Sequence, residues 1–241
     1  HNLGQYFTHP DIVDLILRFC LKYEKDRILD PACGAGTFLV RAYQHKKLMN
    51  QRLNHQEILK TLWGCDIAKF PAHLTTINLS INDLKTDENY PQVFREDFFN
   101  LKFGGREDFT EKYRRKELVA LGEKRISISY PKIVDCVVGN PPYTRQEKIP
   151  TIAGKGYKER LIKNALYDIK GKKKLVQISK RAGIHAYFFI HGTKFLQNEG
   201  RFGFIVSNSW MDVDWGKGLQ EFFLNNYKIL AIIESKVERW F

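Results

Sequence analysis

Four residues whose types suit chemistry on an amino group, Asn140-Pro141-Pro142-Tyr143, follow the apolar run Ile133–Gly139. The Asn140 side-chain oxygen and the Pro141 carbonyl are two hydrogen-bond acceptors in a turn that is stiff because proline fixes φ. Such a pair can align both N–H bonds of a planar amino group, and Tyr143 offers a ring face to an unstacked base. The turn therefore predicts transfer of a group to a poorly nucleophilic amine, with positioning and dipoles supplying most of the rate.

A second motif, Asp30-Pro-Ala-Cys-Gly-Ala-Gly-Thr-Phe38, follows the first apolar run of the chain. Gly34 and Gly36 allow a tight turn and a close approach of the backbone to a ligand, and a helix after them offers free N–H groups. A dinucleotide fingerprint needs a third glycine where Leu39 stands, and no Gly-Lys-Ser/Thr ending of a P-loop is present. Asp30 would repel a pyrophosphate but suits an ammonium beside a carboxylate, as in the methionine part of S-adenosylmethionine.

Two more acids follow the next two apolar runs. Asp66 is placed to accept hydrogen bonds from ribose hydroxyls, as acids at this position do in dinucleotide folds. Asp97 suits an adenine amino group, with Phe98 beside the ring. One acid of this kind is more often a helix cap, but three at successive strand ends predict a single cofactor site.

The elements that must position these residues alternate between short apolar runs and helix-like stretches. This alternation predicts an α/β fold with a mostly parallel sheet covered by helices on both faces, and ligands at the carboxyl ends of its strands. The predicted helices follow the opening motif and then span 37–48, 72–84, 186–196 and 219–226. The predicted strands are Arg27–Asp30, Leu62–Asp66, Val93–Asp97, Ile133–Gly139, Phe202–Ser207 and Lys228–Ser235.

Positive charge is concentrated in one stretch of the 241-residue chain. The net charge is +12, and residues 144–181 hold twelve Lys and Arg against three acids. A stretch of this length is too long for an ordinary connection, and its charge favours contact with a polyanion. The DNA-contacting candidates are Arg145, Lys148, Lys155, Lys158, Lys172, Lys173 and Lys174.

Composition narrows the class of protein further. A content of 43% hydrophobic and 13% aromatic residues is that of a folded domain. No apolar run approaches the roughly 18 residues that cross a bilayer, so we expect no membrane partner. The four cysteines are scattered without metal-ligand spacing, which predicts reduced thiols of a cytoplasmic protein and no metal site.

With these motifs in view, the chain resembles the γ-class N6-adenine DNA methyltransferases of restriction–modification systems. Gly4 to Thr8 with Pro10 resembles the N-terminal cofactor motif of that family, and Gly200 to Trp210 resembles the strand that supports its target pocket. Arg145-Gln146-Glu147 resembles the type IIG-like branch, in which methylation and cleavage share one polypeptide.

The resemblance implies a Rossmann-like methyltransferase domain spanning 1–241: an N-terminal motif and helix (1–26), a cofactor-binding half (27–99), an insertion (100–130) and a catalytic half (131–241). It implies S-adenosylmethionine as cofactor, double-stranded DNA as partner, and target-recognition and nuclease parts on a longer chain or a partner subunit. Tyr143 and Phe241 would stack on the flipped-out adenine. The implied cofactor-binding residues are Tyr6, Thr8, Asp30, Ala32, Gly34, Gly36, Asp66, Ile67, Asp97, Phe98 and Asn140.

The family pattern is not matched everywhere. Gly183-Ile184-His185 stands where the family has an acid, Leu and Tyr before the helix that follows the catalytic motif. Two alternatives also stay open. An Asn-Pro-Pro-Tyr turn occurs in methyltransferases of RNA or of protein glutamine, and a methyltransferase fold can serve as a catalytically silent DNA-binding module. The opening motif and the basic stretch favour DNA adenine.

Overall fold

A computed structural model describes residues 8–86, 89–101, 115–119, 125–143, 156–168, 172–179 and 182–235. The described chain falls into two compact units. The sheet unit comprises residues 10–140 and 192–204, and the second unit comprises residues 1–9, 141–191 and 205–241. The boundary lies between Asn140 and Pro141, inside the predicted catalytic turn.

The sheet unit contains five parallel strands in the order β3-β2-β1-β6-β7. In chain order its elements are α1 (Pro10–Cys20), β1 (Ile28–Asp30), α2 (Thr37–Met49), α3 (His55–Leu59), β2 (Leu62–Asp66), α4 (Lys69–Ser80), β3 (Gln92–Arg95), β4 (Arg115–Val119), β5 (Arg125–Ser129), β6 (Val134–Gly139) and β7 (Leu196–Phe204). Strands β4 and β5 form a separate antiparallel pair within the predicted 100–130 excursion.

The central strands are continuous apolar runs because helices cover both faces of a parallel sheet. Ile28, Leu62 and Val137, one on each of the three central strands, are all fully buried. The chain builds outward from β1 to β3 and then returns to place β6 on the other side of β1. The junction of β1 and β6 is therefore the switch point at which such sheets bind ligands.

The start of β1 is fixed by charged side chains. The Arg27 guanidinium pairs with Asp135 at 2.9 Å, and the backbone N–H of Arg27 donates to the same carboxylate. The fully buried Lys46 of α2 donates to the carbonyls of Glu24 and Asp26. Burial lowers the pKa of Lys46 to about 8, and these carbonyls replace part of its lost hydration.

The second unit contains three described helices, α5 (Tyr157–Leu166), α6 (Ile184–Thr193, whose last two residues belong to the sheet unit) and α7 (Lys217–Asn226). Helix α7 packs closely, since a Cβ on Gly218 would lie 2.1 Å from the Gln177 carbonyl oxygen. The Gln220 side chain donates to the carbonyls of Trp210 and Met211. No described helix is long and apolar enough to span a membrane.

The sequence prediction of one further strand is wrong. Lys228–Ser235 has no strand pairing among the described residues, and Ile229, Leu230, Ile232 and Ile233 are about half exposed or more. Apolar side chains alone do not make a strand, because its backbone groups need a partner. The predicted strand Phe202–Ser207 begins earlier, at Leu196, and ends at Phe204.

Candidate active site

The glycine-rich motif forms a tight loop between β1 and α2. Gly34 and Gly36 adopt φ angles of 54° and 87°, which side chains other than glycine rarely adopt. The Gly36 N–H donates to the Cys33 carbonyl at 2.7 Å, which closes the turn. Helix α2 then begins at Thr37 with no side-chain cap, so its first N–H groups are directed at this loop end. These glycine conformations and this hydrogen bond help to shape the loop that is predicted to face an anionic group.

Asp30 is buried beneath this loop. Its side chain is 1% exposed, and one carboxylate oxygen accepts from the Ala32 N–H at 3.1 Å. Burial, reinforced by the nearby Asp66, raises the pKa of Asp30 to about 8. No Lys, Arg or His of the described chain forms an ion pair with it. A ligand that brings an ammonium group would supply the missing positive charge.

Asp66 ties the ends of β1 and β2 together. One carboxylate oxygen accepts from the Gly34 N–H at 3.0 Å and the other from the Ala68 N–H at 2.8 Å. Burial raises the pKa of this carboxyl as well. Each carboxylate oxygen has further lone pairs, so a ribose hydroxyl can still donate to it. Asp66 therefore has a structural role in the loop besides the predicted contact with a ribose.

The remaining cofactor candidates differ in what their side chains contact. Asp97 caps a short 3-10 turn, Phe98–Asn100, by accepting from the Phe99 N–H. Phe98 is 2% exposed and packs against Phe195 at a centroid distance of 5.5 Å, so its ring belongs to the core and only its backbone remains for a ligand. Ile67 is 53% exposed and offers apolar surface beside Asp66.

Asn140 is joined to the cofactor end of the sheet by the residue before it. A Cβ on Gly139 would lie 2.7 Å from the Asp30 carboxylate oxygen, so the backbone at the end of β6 contacts that carboxylate directly. Asn140 follows immediately and is partly exposed. The structure thus brings the predicted catalytic asparagine and the buried acid to adjacent strand ends, β6 and β1.

Tyr143 is held by its hydroxyl in the second unit. Its Oη donates to the Ile205 carbonyl at 3.1 Å, and the ring is partly exposed. Pro141 is buried and Pro142 partly so. His185, at the position that departs from the family pattern, is buried, and burial lowers its pKa to about 4.

Lys172, Lys173 and Lys174 are all exposed and lie in a hydrogen-bonded turn. The Asp168 side chain accepts from the Lys172 N–H, and the Asp168 N–H donates to the Lys173 carbonyl, both at 2.7 Å. Tyr167 and Lys174 form an antiparallel bridge. The three ammonium groups are therefore presented from a defined backbone.

The remaining predicted residues lie either in the second unit or outside the described residues. Thr8 is buried in the second unit, and Lys158 is partly exposed on α5. Those outside the described residues are Tyr6, Arg145, Lys148, Lys155 and Phe241.

Sequence reasoning missed two side chains of α4 that hold the loop from behind. The Thr75 hydroxyl donates to the Gly34 carbonyl at 2.7 Å, and the Asn78 amide donates to the Ala35 carbonyl at 2.9 Å. Both contacts span more than forty residues of sequence, so no local pattern reveals them.

Residues 60–241 match the model of the Eco57I restriction-modification methylase family. The chain belongs to this family. Among curated relatives, the type II methyltransferase M.BstVI of Geobacillus stearothermophilus is 28% identical over 251 residues, which cover 96% of this chain and 38% of the relative. The chain therefore spans less than two fifths of that relative's length.

Solved structures share the fold of this chain at low sequence identity. The type I restriction-modification system methyltransferase subunit from Streptococcus thermophilus is 15% identical with a TM-score of 0.56, covering 92% of this chain and 39% of that one. A DrdV–DNA complex is 17% identical with a TM-score of 0.59, covering 93% of this chain and 22% of that one. These neighbours confirm the predicted Rossmann-like fold, and membership of a restriction-modification methylase family confirms S-adenosylmethionine as the cofactor.

Proposed function

We propose that this chain is the catalytic part of a restriction–modification DNA methyltransferase and methylates the N6 amino group of a flipped-out adenine. One observation carries the proposal: the backbone that leads into Asn140 contacts the Asp30 carboxylate through Gly139. The side chain that would align the target amine and the carboxylate that would hold the methyl donor are thereby fixed to neighbouring strands of one sheet.

The buried acids fit S-adenosylmethionine better than a nucleotide. Asp30 is buried without a described cation partner, which suits an ammonium group and would repel a pyrophosphate. Asp66 and Asp97 carry carboxylates for the ribose hydroxyls and the adenine amino group, while the exposed Ile67 offers an apolar contact. The loop from Ala32 to Gly36 and the first N–H groups of α2 would receive the methionine carboxylate.

The roles of the Asn-Pro-Pro-Tyr residues follow from their acceptors. The Asn140 side-chain oxygen and the Pro141 carbonyl would each accept one N–H of the target amine and draw its nitrogen toward tetrahedral geometry. Pro142 stiffens the turn, and the Tyr143 ring would stack on the base. The bound cofactor supplies a methyl group on a positively charged sulfur, and the amine needs no strong base because it becomes acidic once alkylated.

The partner we propose is double-stranded DNA, held through phosphate contacts of the basic stretch that contains Lys172–Lys174. Such contacts position the duplex and carry little sequence information. Reading of the target sequence is therefore assigned to another part of a longer polypeptide or to a partner subunit. A nuclease on the same polypeptide would make the protein a type IIG-like enzyme.

The test identifies the methylated product. The protein is incubated with S-adenosylmethionine labelled in its methyl group and with random-sequence duplex DNA, RNA or bulk protein, and the products are hydrolysed. We expect label in N6-methyladenine of DNA alone. Label in cytosine, in RNA or in glutamine would contradict the proposal.

The matched variants are Asn140→Ala and Asn50→Ala, the latter at the end of α2. We expect Asn140→Ala to lower methylation by about 1000-fold or more, with unchanged affinity for S-adenosylmethionine in calorimetric titration. Asn50→Ala should change neither. Full activity of Asn140→Ala would disprove the catalytic assignment.

A further inference from the structure

The glycine-rich loop takes its shape from helix α4 as well as from its own glycines. Thr75 and Asn78 are one turn apart on α4 and donate to consecutive carbonyls, those of Gly34 and Ala35. Thr75 is fully buried, and a Cβ on Gly36 would lie 2.9 Å from its methyl group. Loop and helix are therefore in direct contact, and the two hydrogen bonds fix the rotation of the peptide planes between them.

The direction of these carbonyls determines where one donor points. In a trans peptide the C=O of one residue and the N–H of the next point in opposite directions. Because the Gly34 carbonyl is directed at Thr75, the Ala35 N–H is directed away from α4. The next N–H, that of Gly36, is already used by the Cys33 carbonyl. The Gly34 N–H donates to the Asp66 carboxylate.

We propose that Thr75 and Asn78 are positioning residues that preset the Gly34–Ala35 peptide to bind the methionine carboxylate of S-adenosylmethionine. The inference rests on the proposed cofactor site and is independent of the DNA substrate. Without the two donors, the loop would have to be ordered at the moment of binding, and ordering flexible backbone costs affinity.

Helix α4 and the turn directly after it supply the matched controls. The Thr76 hydroxyl donates to the Ala72 carbonyl of its own helix, and the Asn82 amide donates to the carbonyls of Asn78 and Leu79. Thr76→Val and Asn82→Ala therefore remove the same chemical groups as Thr75→Val and Asn78→Ala without touching the loop. Thr75→Ser keeps the hydroxyl and should restore the contact.

The experiment compares two ligands by calorimetric titration. S-adenosylmethionine carries the methionine carboxylate, whereas 5′-methylthioadenosine keeps the adenosine and lacks the amino acid. We expect Thr75→Val and Asn78→Ala each to raise the Kd of S-adenosylmethionine about tenfold, while the Kd of 5′-methylthioadenosine changes less than about threefold. Thr75→Ser and both controls should stay close to wild type.

Two outcomes would overturn the proposal. Equal losses for both ligands would indicate a general structural role for Thr75 and Asn78, and unchanged binding of S-adenosylmethionine would indicate no role. If the unsubstituted protein does not bind S-adenosylmethionine, the cofactor site fails on its own. Amide hydrogen exchange then still tests the loop: Thr75→Val must speed exchange at Ala35–Thr37 relative to Thr76→Val, and equal exchange would refute the positioning role.

Discussion

The two compact units use charge in opposite ways. In the sheet unit, Asp30 and Asp66 are buried at strand ends and accept hydrogen bonds from neighbouring backbone N–H groups. In the second unit, Lys172–Lys174 are exposed; hydrogen bonds with Asp168 hold their backbone, and the Lys174 ammonium donates to the exposed Gln177 side chain at 2.6 Å. From this difference we expect a small ligand to meet a preset, desolvated acid and a polyanion to meet screened surface charge.

The largest effect we expect comes from Asp30→Asn. This change keeps the shape of the side chain but removes the charge opposite the ligand ammonium, and the Kd of S-adenosylmethionine should rise about 100-fold. Calorimetric titration measures it, with the exposed Asp212→Asn as control. Wild-type affinity in Asp30→Asn would contradict the view that buried charge selects this ligand.

The same variant should be more stable than wild type without ligand at neutral pH. The pKa of Asp30 is about 8 in the folded chain and about 4 when unfolded, so its contribution is complete below pH 4 and is lost as the pH rises toward 8. The advantage of Asp30→Asn should therefore grow from pH 5 to pH 8, by at most about 1.4 kcal/mol per pH unit. Denaturant unfolding at several pH values checks this, and a constant difference would contradict it.

Replacing Lys172, Lys173 and Lys174 together by Ala tests the other side of the comparison. We expect the affinity for random-sequence duplex DNA to fall about tenfold near 0.1 M salt and the salt slope to decrease by up to about three. Binding of S-adenosylmethionine should not change. The control removes the same charge from exposed lysines of the sheet unit, Lys22, Lys25 and Lys60, and an equal loss there would mean that only net charge matters.

The smallest effect should come from Tyr143→Phe. The change removes the hydrogen bond to the Ile205 carbonyl and keeps the ring, so we expect a loss of about 1 kcal/mol in stability and a few-fold loss in methylation rate. Tyr143→Ala also removes the ring, and the ratio of the two methylation rates measures stacking on the base. Identical rates for the two variants would leave the ring without a role.

The same contrast explains what the sequence could predict. Apolar runs that end in small or acidic residues predicted β1, β2 and β6, because parallel strands buried on both faces need such runs. The alternation also located α2 within one residue of its observed end, Met49. Helix α4 begins three residues before the prediction, at Lys69, since Pro71 is tolerated in the first turn of a helix.

The second unit was harder to predict because its local signals are weaker. Helix α5 lies inside the basic stretch 144–181, where the sequence analysis predicts contact with a polyanion but no helix. Its buried residues Tyr157, Leu161 and Ala165 recur at helical spacing, a signal that the surrounding lysines obscured. Lys228–Ser235 shows the opposite case, in which a strand-like sequence has no strand pairing among the described residues.

Candidate-site residues that belong to short sequence motifs could be predicted, whereas those that act through contacts distant in sequence could not. Asp30, Gly34, Gly36 and Asn140 could be found because each belongs to a short motif beside a strand end. The donors from Thr75 and Asn78 could not, since nothing within a few residues of either position indicates that it faces the loop. For the same reason the sequence did not reveal that Asp66 uses both carboxylate oxygens on backbone N–H groups.

The contact between Gly139 and Asp30 has a consequence for how variants of this chain can arise. The space that a methyl group at position 139 would need is occupied by the Asp30 carboxylate, 109 positions earlier in the chain. We therefore expect a larger side chain at position 139, directly before the predicted catalytic turn, to weaken binding of the methyl donor. The motifs that contain Asp30 and Gly139 meet in one small volume. A larger side chain at either position would therefore require the other residue to move.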